Sequence, residues 1–312
     1  MIEILTHKIS KNSNLKWINV TYAKKKEIEY LKKNFNFNLR NLRDSLSNIY
    51  AQRLKIEEYP SYLFLVLRFP VLDHASGEII ASEVDCFIGK NYLITIHNKE
   101  SDTLNGLFNL CKKDTESMNL YMGKDPLFLL HHISERFLEN CFNLLDNFNI
   151  EISGVEKEIF SGRQKQSIDS ILLVKHNIIN FRRIMRSHRS IIKKLISNHK
   201  RFVHKNHLLS YNNLLQSTID IWDIARNHKE MIEALEYTND SKLSYKMNDI
   251  MKTLTIFSVI VFPLTLFAAL FGMNTINGMP FLDTENGFWI IVGFMAIGTL
   301  GMFGFFKKKR WI

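Results

Sequence analysis

The sequence is short of several things, and each shortage excludes a class of protein. It has three cysteines, Cys86, Cys111 and Cys141, and none stands in a Cys-x-x-Cys spacing. An odd number of widely separated thiols supports neither a disulfide framework nor a zinc knuckle, and it fits a body kept in a reducing compartment. A secretory leader is not expected, because Glu3 and Lys8 interrupt the apolar residues too early. Residues 127–246 contain no proline and only two glycines, Gly154 and Gly162. From Ser170 to Thr218 there is no Asp or Glu, and the runs 253–271 and 288–306 carry no charge of either sign. Repeats and low-complexity tracts are absent. No glycine loop suited to phosphate, no nucleophile–base pair and no paired carboxylates stand out, so an enzyme is not expected.

What is present is segregated along the chain. The formal net charge is +10, and the acid-free stretch holds ten Lys or Arg, among them Lys175, Arg182, Arg183, Arg186 and Arg189, which equals the whole excess. The basic charge is therefore local. It reads as a solvated or inter-subunit helix face, and a nucleic-acid partner is not expected.

The pattern predicts an α+β fold in four parts: an α/β domain over 1–125, long helices over 126–250, a two-helix membrane region over 251–306 with an outer loop at 272–287, and a basic tail at 307–312. In the first part, β-type runs occur at 2–6, 17–21, 62–69, 78–88 and 92–96, and Gly89-Lys90-Asn91 marks an antiparallel hairpin. Helices fit 24–34 and 39–47. Apolar residues at three- and four-residue intervals, such as Leu208, Tyr211, Leu215, Ile219 and Trp222, predict three long helices at 126–160, 165–200 and 205–271, with breaks near Gly162 and Asn206.

The two uncharged runs are each long enough to cross a bilayer core of about 30 Å. The loop between them carries Asp283 and Glu285 and no Lys or Arg, whereas Lys242, Lys246 and Lys252 precede the first span and Lys307, Lys308, Lys309 and Arg310 follow the second. The positive-inside rule then places both termini in the cytoplasm, in a multi-pass protein of the cell membrane. Two helices cannot enclose a path by themselves, so conduction would need a homo-oligomer in the lipid bilayer. The first span is the better pore-lining candidate: Asn248, Met251, Thr255, Ser258, Phe262 and Thr265 recur on heptad-like spacings along one side. Gly293, Gly298, Gly301 and Gly304 in the second span would let it pack closely against the first. Of the histidines, His204 and His207 share a helix face and His131-His132 are adjacent, but no Cys or carboxylate is recognised at ligand spacing, so they are not expected to bind metal.

Residues 248–312 resemble the CorA family of divalent-cation transport proteins. The resemblance rests on Met251-Lys252-x-Leu254-Thr255, Pro263-Leu264-Thr265, the signature Gly272-Met273-Asn274, Met279-Pro280 and the terminal Lys-Lys-Lys-Arg-Trp-Ile. Upstream, Gln52-Arg53-x-Lys55-x-Glu57-x-x-Pro60-x-Tyr62-Leu63-Phe64 and Gly89-Lys90-Asn91-Tyr92 are similar to the family's soluble domain. The resemblance implies a homopentamer with a funnel-shaped cytoplasmic part and a pore lined by the first span. The transported ion would be Mg2+, with Co2+ and Ni2+ as further cargo, in the bacterial inner membrane. Gly272, Met273 and Asn274 would form the outer mouth, where neutral oxygens hold an ion through its water shell. Gly272 would end the helix in a conformation awkward for other residues. Asp283 and Glu285 would concentrate cations nearby.

Two departures stand against the family pattern. Its magnesium-sensing carboxylate would align near Asn213, a neutral amide, which leaves Asp220 and Asp223 as substitute regulatory metal ligands. The basic stretch also contrasts with acidic helices in the magnesium branch. Two other readings are therefore carried: a Zn2+ transporter of the related branch, and a membrane-anchored sensor using the basic helix.

Overall fold

The computed structural model describes residues 1–10, 13–46, 54–97, 102–197, 207–273, 280 and 284–311. They fall into two compact units, Met1–Glu236 and Tyr237–Ile312. In the first, six strands form one mixed sheet: β1 (Ile2–Ser10), β2 (Ser13–Thr21), β3 (Lys55–Glu58), β4 (Leu63–Asp73), β5 (Glu78–Ile88) and β6 (Tyr92–His97). Their order is β1-β2-β6-β5-β4-β3, parallel between β2 and β6 and antiparallel elsewhere.

The sheet is buried on both faces, which explains why β4 reads as a nearly continuous apolar run. Leu63, Leu65, Leu67 and Phe69 of β4 point to one core, with Leu15 and Trp17 of β2. The alternate residues Tyr62, Phe64 and Val66 point to the other, with Ile18, Val20 and Phe87. Helices α1 (Lys25–Phe35) and α2 (Leu39–Asp44) cover the second face through Ile28, Leu31 and Leu42. The predicted hairpin is present: Phe87 pairs with Ile94, and the Gly89 N–H donates to the Tyr92 carbonyl at 3.0 Å. A Cβ at Gly89 would fall 2.2 Å from the Tyr92 ring, so a larger residue there would have to displace that side chain.

The first face is covered by α3 (Asp102–Lys113), α4 (Thr115–Met122) and the long helices. Strand β3 and helices α3 and α4 were not expected from the sequence. The first long helix, α5 (Pro126–Phe160), matches its prediction. Asp125 caps it, its carboxylate accepting from the Leu127 and Phe128 N–H groups at 3.0 and 2.9 Å, and Pro126 takes the first position, where no N–H is required. Gly162, at φ +85°, turns the chain into α6 (Gln164–Met185), as expected at that break.

The single helix predicted over 165–200 is corrected to two, because the chain breaks after Met185 and restarts as α7 (His188–Ser197). His188 is buried against Phe69, and its Nδ1 lies 3.3 Å from the Met185 carbonyl, taking up a helix-end acceptor. Burial holds that ring down to about 4, so it is neutral at ordinary pH. Helix α8 (Leu208–Phe271) then runs 64 residues with Pro263 inside it, and α9 (Gly287–Lys308) follows. The break expected at Asn206 lies outside the described residues.

One buried carboxyl makes stability depend on pH. Asp85, on β5, has an Oδ1 with no hydrogen-bond partner among the described residues, and burial pushes its pKa up to about 7, with Glu83 and Asp44 adding to the shift and Ser45 and Lys55 opposing it. In an unfolded chain the group titrates near about 3.9. Its folded-state pKa is raised, so its contribution is complete below about pH 4 and is lost as the pH rises through about 7. Asp85→Asn is expected to raise the melting temperature at pH 8 by at least about 2 °C, a shift of about 1 kcal/mol in a chain of this size, and to change it little at pH 4.5. Thermal melts at the two pH values check this.

Candidate functional site

The unit Tyr237–Ile312 is built from the second half of α8 and all of α9. Each helix contains a window of 18 residues apolar enough for a membrane, and none of either window is buried. Phe262 and Leu300 are 70% and 72% exposed, an arrangement that water does not tolerate over so large an apolar surface. The two helices enclose an apolar cavity of about 360 Å3 lined by Pro263, Leu264 and Phe267 of α8 and Phe294, Met295 and Gly298 of α9. At the basic end, Lys252 Nζ donates to the Arg310 carbonyl at 3.3 Å and Trp311 stacks on Phe306 at 5.8 Å.

The predicted pore-lining residues are distributed along α8. Asn248, Met251, Thr255, Phe262 and Thr265 are exposed and Ser258 is half-buried. Thr255 also lines a groove with Gly298, Gly301 and Phe305, so it stands at the border of the side turned to α9. The hydroxyls of Thr255 and Thr265 each donate 2.7 Å to the carbonyl four residues back, so their polarity is met within the helix.

Two glycine expectations change. A Cβ on Gly293, Gly298, Gly301 or Gly304 would meet nothing within 4 Å, so within one chain these glycines front open space and do not hold the two helices in close contact. Gly272 is not at positive φ. A Cβ there would lie 3.0 Å from the Ala268 carbonyl oxygen, the atom that already accepts from the Gly272 N–H. Crowding at the helix end, and no left-handed backbone, disfavours a side chain. Gly272, Met273 and Glu285 are exposed, while Asn274, Asp283 and His204 lie outside the described residues.

In the first unit, Asp220 accepts from Gln216 Nε2 at 2.8 Å and Asp223 pairs with Arg226 at 3.4 Å, and the two aspartates do not converge with a third ligand. Asn213 is exposed and its carbonyl accepts from Ser217 Oγ at 3.1 Å. Of the basic stretch, Lys175 pairs with Glu236 at 2.6 Å and Arg182 lies over the Trp222 ring at 4.9 Å, whereas Arg183, Arg186 and Arg189 are exposed. Among the described residues, the three ligand-type side chains that do come together are His131, His132 and Glu135. Sequence reading missed this group because it weighed the histidines without Glu135. The available signal was the spacing of three and four residues along α5.

A mixed sheet, a long helix and two C-terminal apolar helices define an α+β protein anchored in a membrane. The profile of the family described as CorA-like Mg2+ transporter protein matches residues 12–308, and the chain belongs to that family. It is 25% identical over 297 residues to the cobalt/magnesium transport protein CorA of Thermotoga maritima, covering 95% of this chain and 83% of that one. It is 22% identical over 296 residues to the protein of the same description from Methanocaldococcus jannaschii, covering 95% and 91%. In fold it is similar to the complete CorA magnesium transporter of M. jannaschii, with a TM-score of 0.84 at 21% identity over 96% of this chain and 92% of that one. The cytoplasmic domain of ZntB from Vibrio parahaemolyticus is also similar, with a TM-score of 0.64 at 13% identity, covering 78% and 100%.

Proposed function

We propose that five copies of this chain assemble around a central pore lined by α8 and conduct hydrated Mg2+ into the cytoplasm, with Co2+ and Ni2+ as further cargo. The observation that carries this reading is the position of Gly272-Met273-Asn274, immediately after a span continuous with a long helix of the soluble unit. The unburied apolar faces of α8 and α9 are surfaces for lipid and for neighbouring copies. Mg2+ gives up its waters reluctantly, so a ring of Asn274 amides and Gly272 carbonyls can hold it through its hydration shell and still release it. Both termini lie in the cytoplasm. Asp283 and Glu285 raise the local cation concentration at the outer mouth, and Asn248, Met251, Thr255, Ser258, Phe262 and Thr265 line the path. Asp220 and Asp223 would serve cytoplasmic regulation only through contacts between copies, given their partners within the chain.

One observation favours a second reading, Zn2+ as cargo. Residues 170–218 carry no acid and ten Lys or Arg, unlike the acidic helices of the family's magnesium branch. Proteoliposomes loaded with an ion-selective dye and offered Mg2+ or Zn2+ separately distinguish the two. Mg2+ uptake is expected; uptake of Zn2+ alone would overturn the magnesium assignment.

A further inference from the structure

The first two turns of α5 place His131 and His132 beside Glu135, four and three residues on, so that one carboxylate serves both rings. Glu135 Oε2 lies 3.1 Å from His132 Nδ1 and 4.0 Å from His131 Nδ1, and one ligand atom from each of the three falls within 4.8 Å of the others. An ion with bonds of about 2.1 Å holds tetrahedral ligands about 3.4 Å apart, so rotation of the rings and the carboxylate by roughly an ångström closes the set.

The polar atoms in this cluster are poorly served without an ion. His131 is 7% exposed, and its Nδ1 has no hydrogen-bond partner among the described residues. A buried imidazole nitrogen that faces a carboxylate and lacks a donor can present its lone pair to a metal. His132 Nε2 is likewise buried without a partner among the described residues.

The surroundings suit a soft, partly dry site. Tyr121 and Phe128 meet His132 edge-on at 5.3 and 4.5 Å, and Tyr211 meets His131 at 5.8 Å. His207, the nearest further imidazole, is held 2.6 Å from the α5 cap Asp125 and so is not offered to the cluster. The Glu135 side chain is half exposed, which leaves a route in for the ion and a coordination position for water.

We propose that His131, His132 and Glu135 bind one borderline transition-metal ion, Zn2+, Co2+ or Ni2+, within a single soluble unit. Two imidazoles and one carboxylate select these ions over Mg2+, which asks for an octahedron of oxygens. The site would let the protein register transition metals independently of the ion it conducts.

The test uses untagged full-length protein in detergent, titrated with CoCl2 and then dialysed against excess Mg2+, with retained metal counted by mass spectrometry. Wild type is expected to keep one Co2+ per chain and to show the visible absorption of nitrogen-ligated cobalt. Glu135→Gln and the double variant His132→Gln/Glu135→Gln are expected to lose that equivalent, each weakening Co2+ binding by more than the roughly 10–100-fold that loss of a supporting residue causes. Glu135 is half exposed, so its conservative variant keeps the metal-free melting temperature and separates lost ligation from lost folding. Retention of the equivalent by both variants, its absence from wild type, or its displacement by Mg2+ would overturn the proposal.

Discussion

Asn274→Ala is expected to lower Mg2+ flux in reconstituted vesicles by at least about tenfold while leaving protein yield and melting temperature unchanged. A hydrogen bond to a charged species is worth about 1.5–3 kcal/mol, and about 1.4 kcal/mol is already a factor of ten. In a pore of five chains the substitution removes the whole ring of amides at once, so the hydrated ion loses several of its contacts together. Asn274→Asp is expected to reduce flux as well, for the opposite reason, because a ring of carboxylates holds a divalent ion too tightly to release it. Wild-type flux in the alanine variant would remove the proposed filter.

Trp17→Ala is expected to cost about 3–5 kcal/mol of folding free energy, against a total of about 5–15 kcal/mol for a typical domain. Trp17 is completely buried on β2, the strand next to the sheet edge, and Phe108 packs edge-on against it at 4.9 Å. Its indole N–H donates to Thr95 Oγ1 at 3.1 Å, and Thr95 in turn donates to Asn19 Oδ1 at 2.8 Å, which also faces His97 Nε2 at 3.1 Å. Truncation opens a cavity and leaves this buried polar chain one donor short. Denaturant unfolding of the full-length protein, followed by far-ultraviolet circular dichroism, measures the loss. A change below about 1 kcal/mol would show that the site relaxes into the space.

Much of the fold was legible in the sequence because burial writes itself as period. The β-type apolar runs of β2, β5 and β6, the Gly89 hairpin and the long run of α5 could be read from the sequence alone, and so could the two apolar helices. Short elements were not legible. β3 is four residues long and has no buried side chain, and α4 buries only Met122, so neither leaves a readable period. α3 did carry the signal, in Leu104, Leu107, Phe108 and Cys111, and was overlooked. The break between α6 and α7 has neither Gly nor Pro to mark it. Beside it His188 packs on Phe69, more than a hundred residues away, a tertiary contact that no local pattern encodes.

The candidate site divides in the same way. The signature at 272–274 and the polar spacing along α8 are linear features, available at once. The grouping of His131, His132 and Glu135 was also within reach, at helical spacing, but its meaning depends on facts only packing supplies: the burial of His131 and the absence of a partner for its Nδ1. Gly272 taught the converse. Its place at a helix end suggested a conformation awkward for other residues, and the constraint is the Ala268 carbonyl 3.0 Å from where a Cβ would stand.

Mg2+ uptake into proteoliposomes held at a set membrane potential tests the central claim most directly. A passive pore passes a divalent ion down its electrochemical gradient, and 100 mV, inside negative, is worth about 4.6 kcal/mol per Mg2+. Uptake is expected to rise steeply as the interior is made negative and to reverse when the potential opposes it. Uptake that ignores the potential, or no Mg2+ uptake at any potential, would contradict the account.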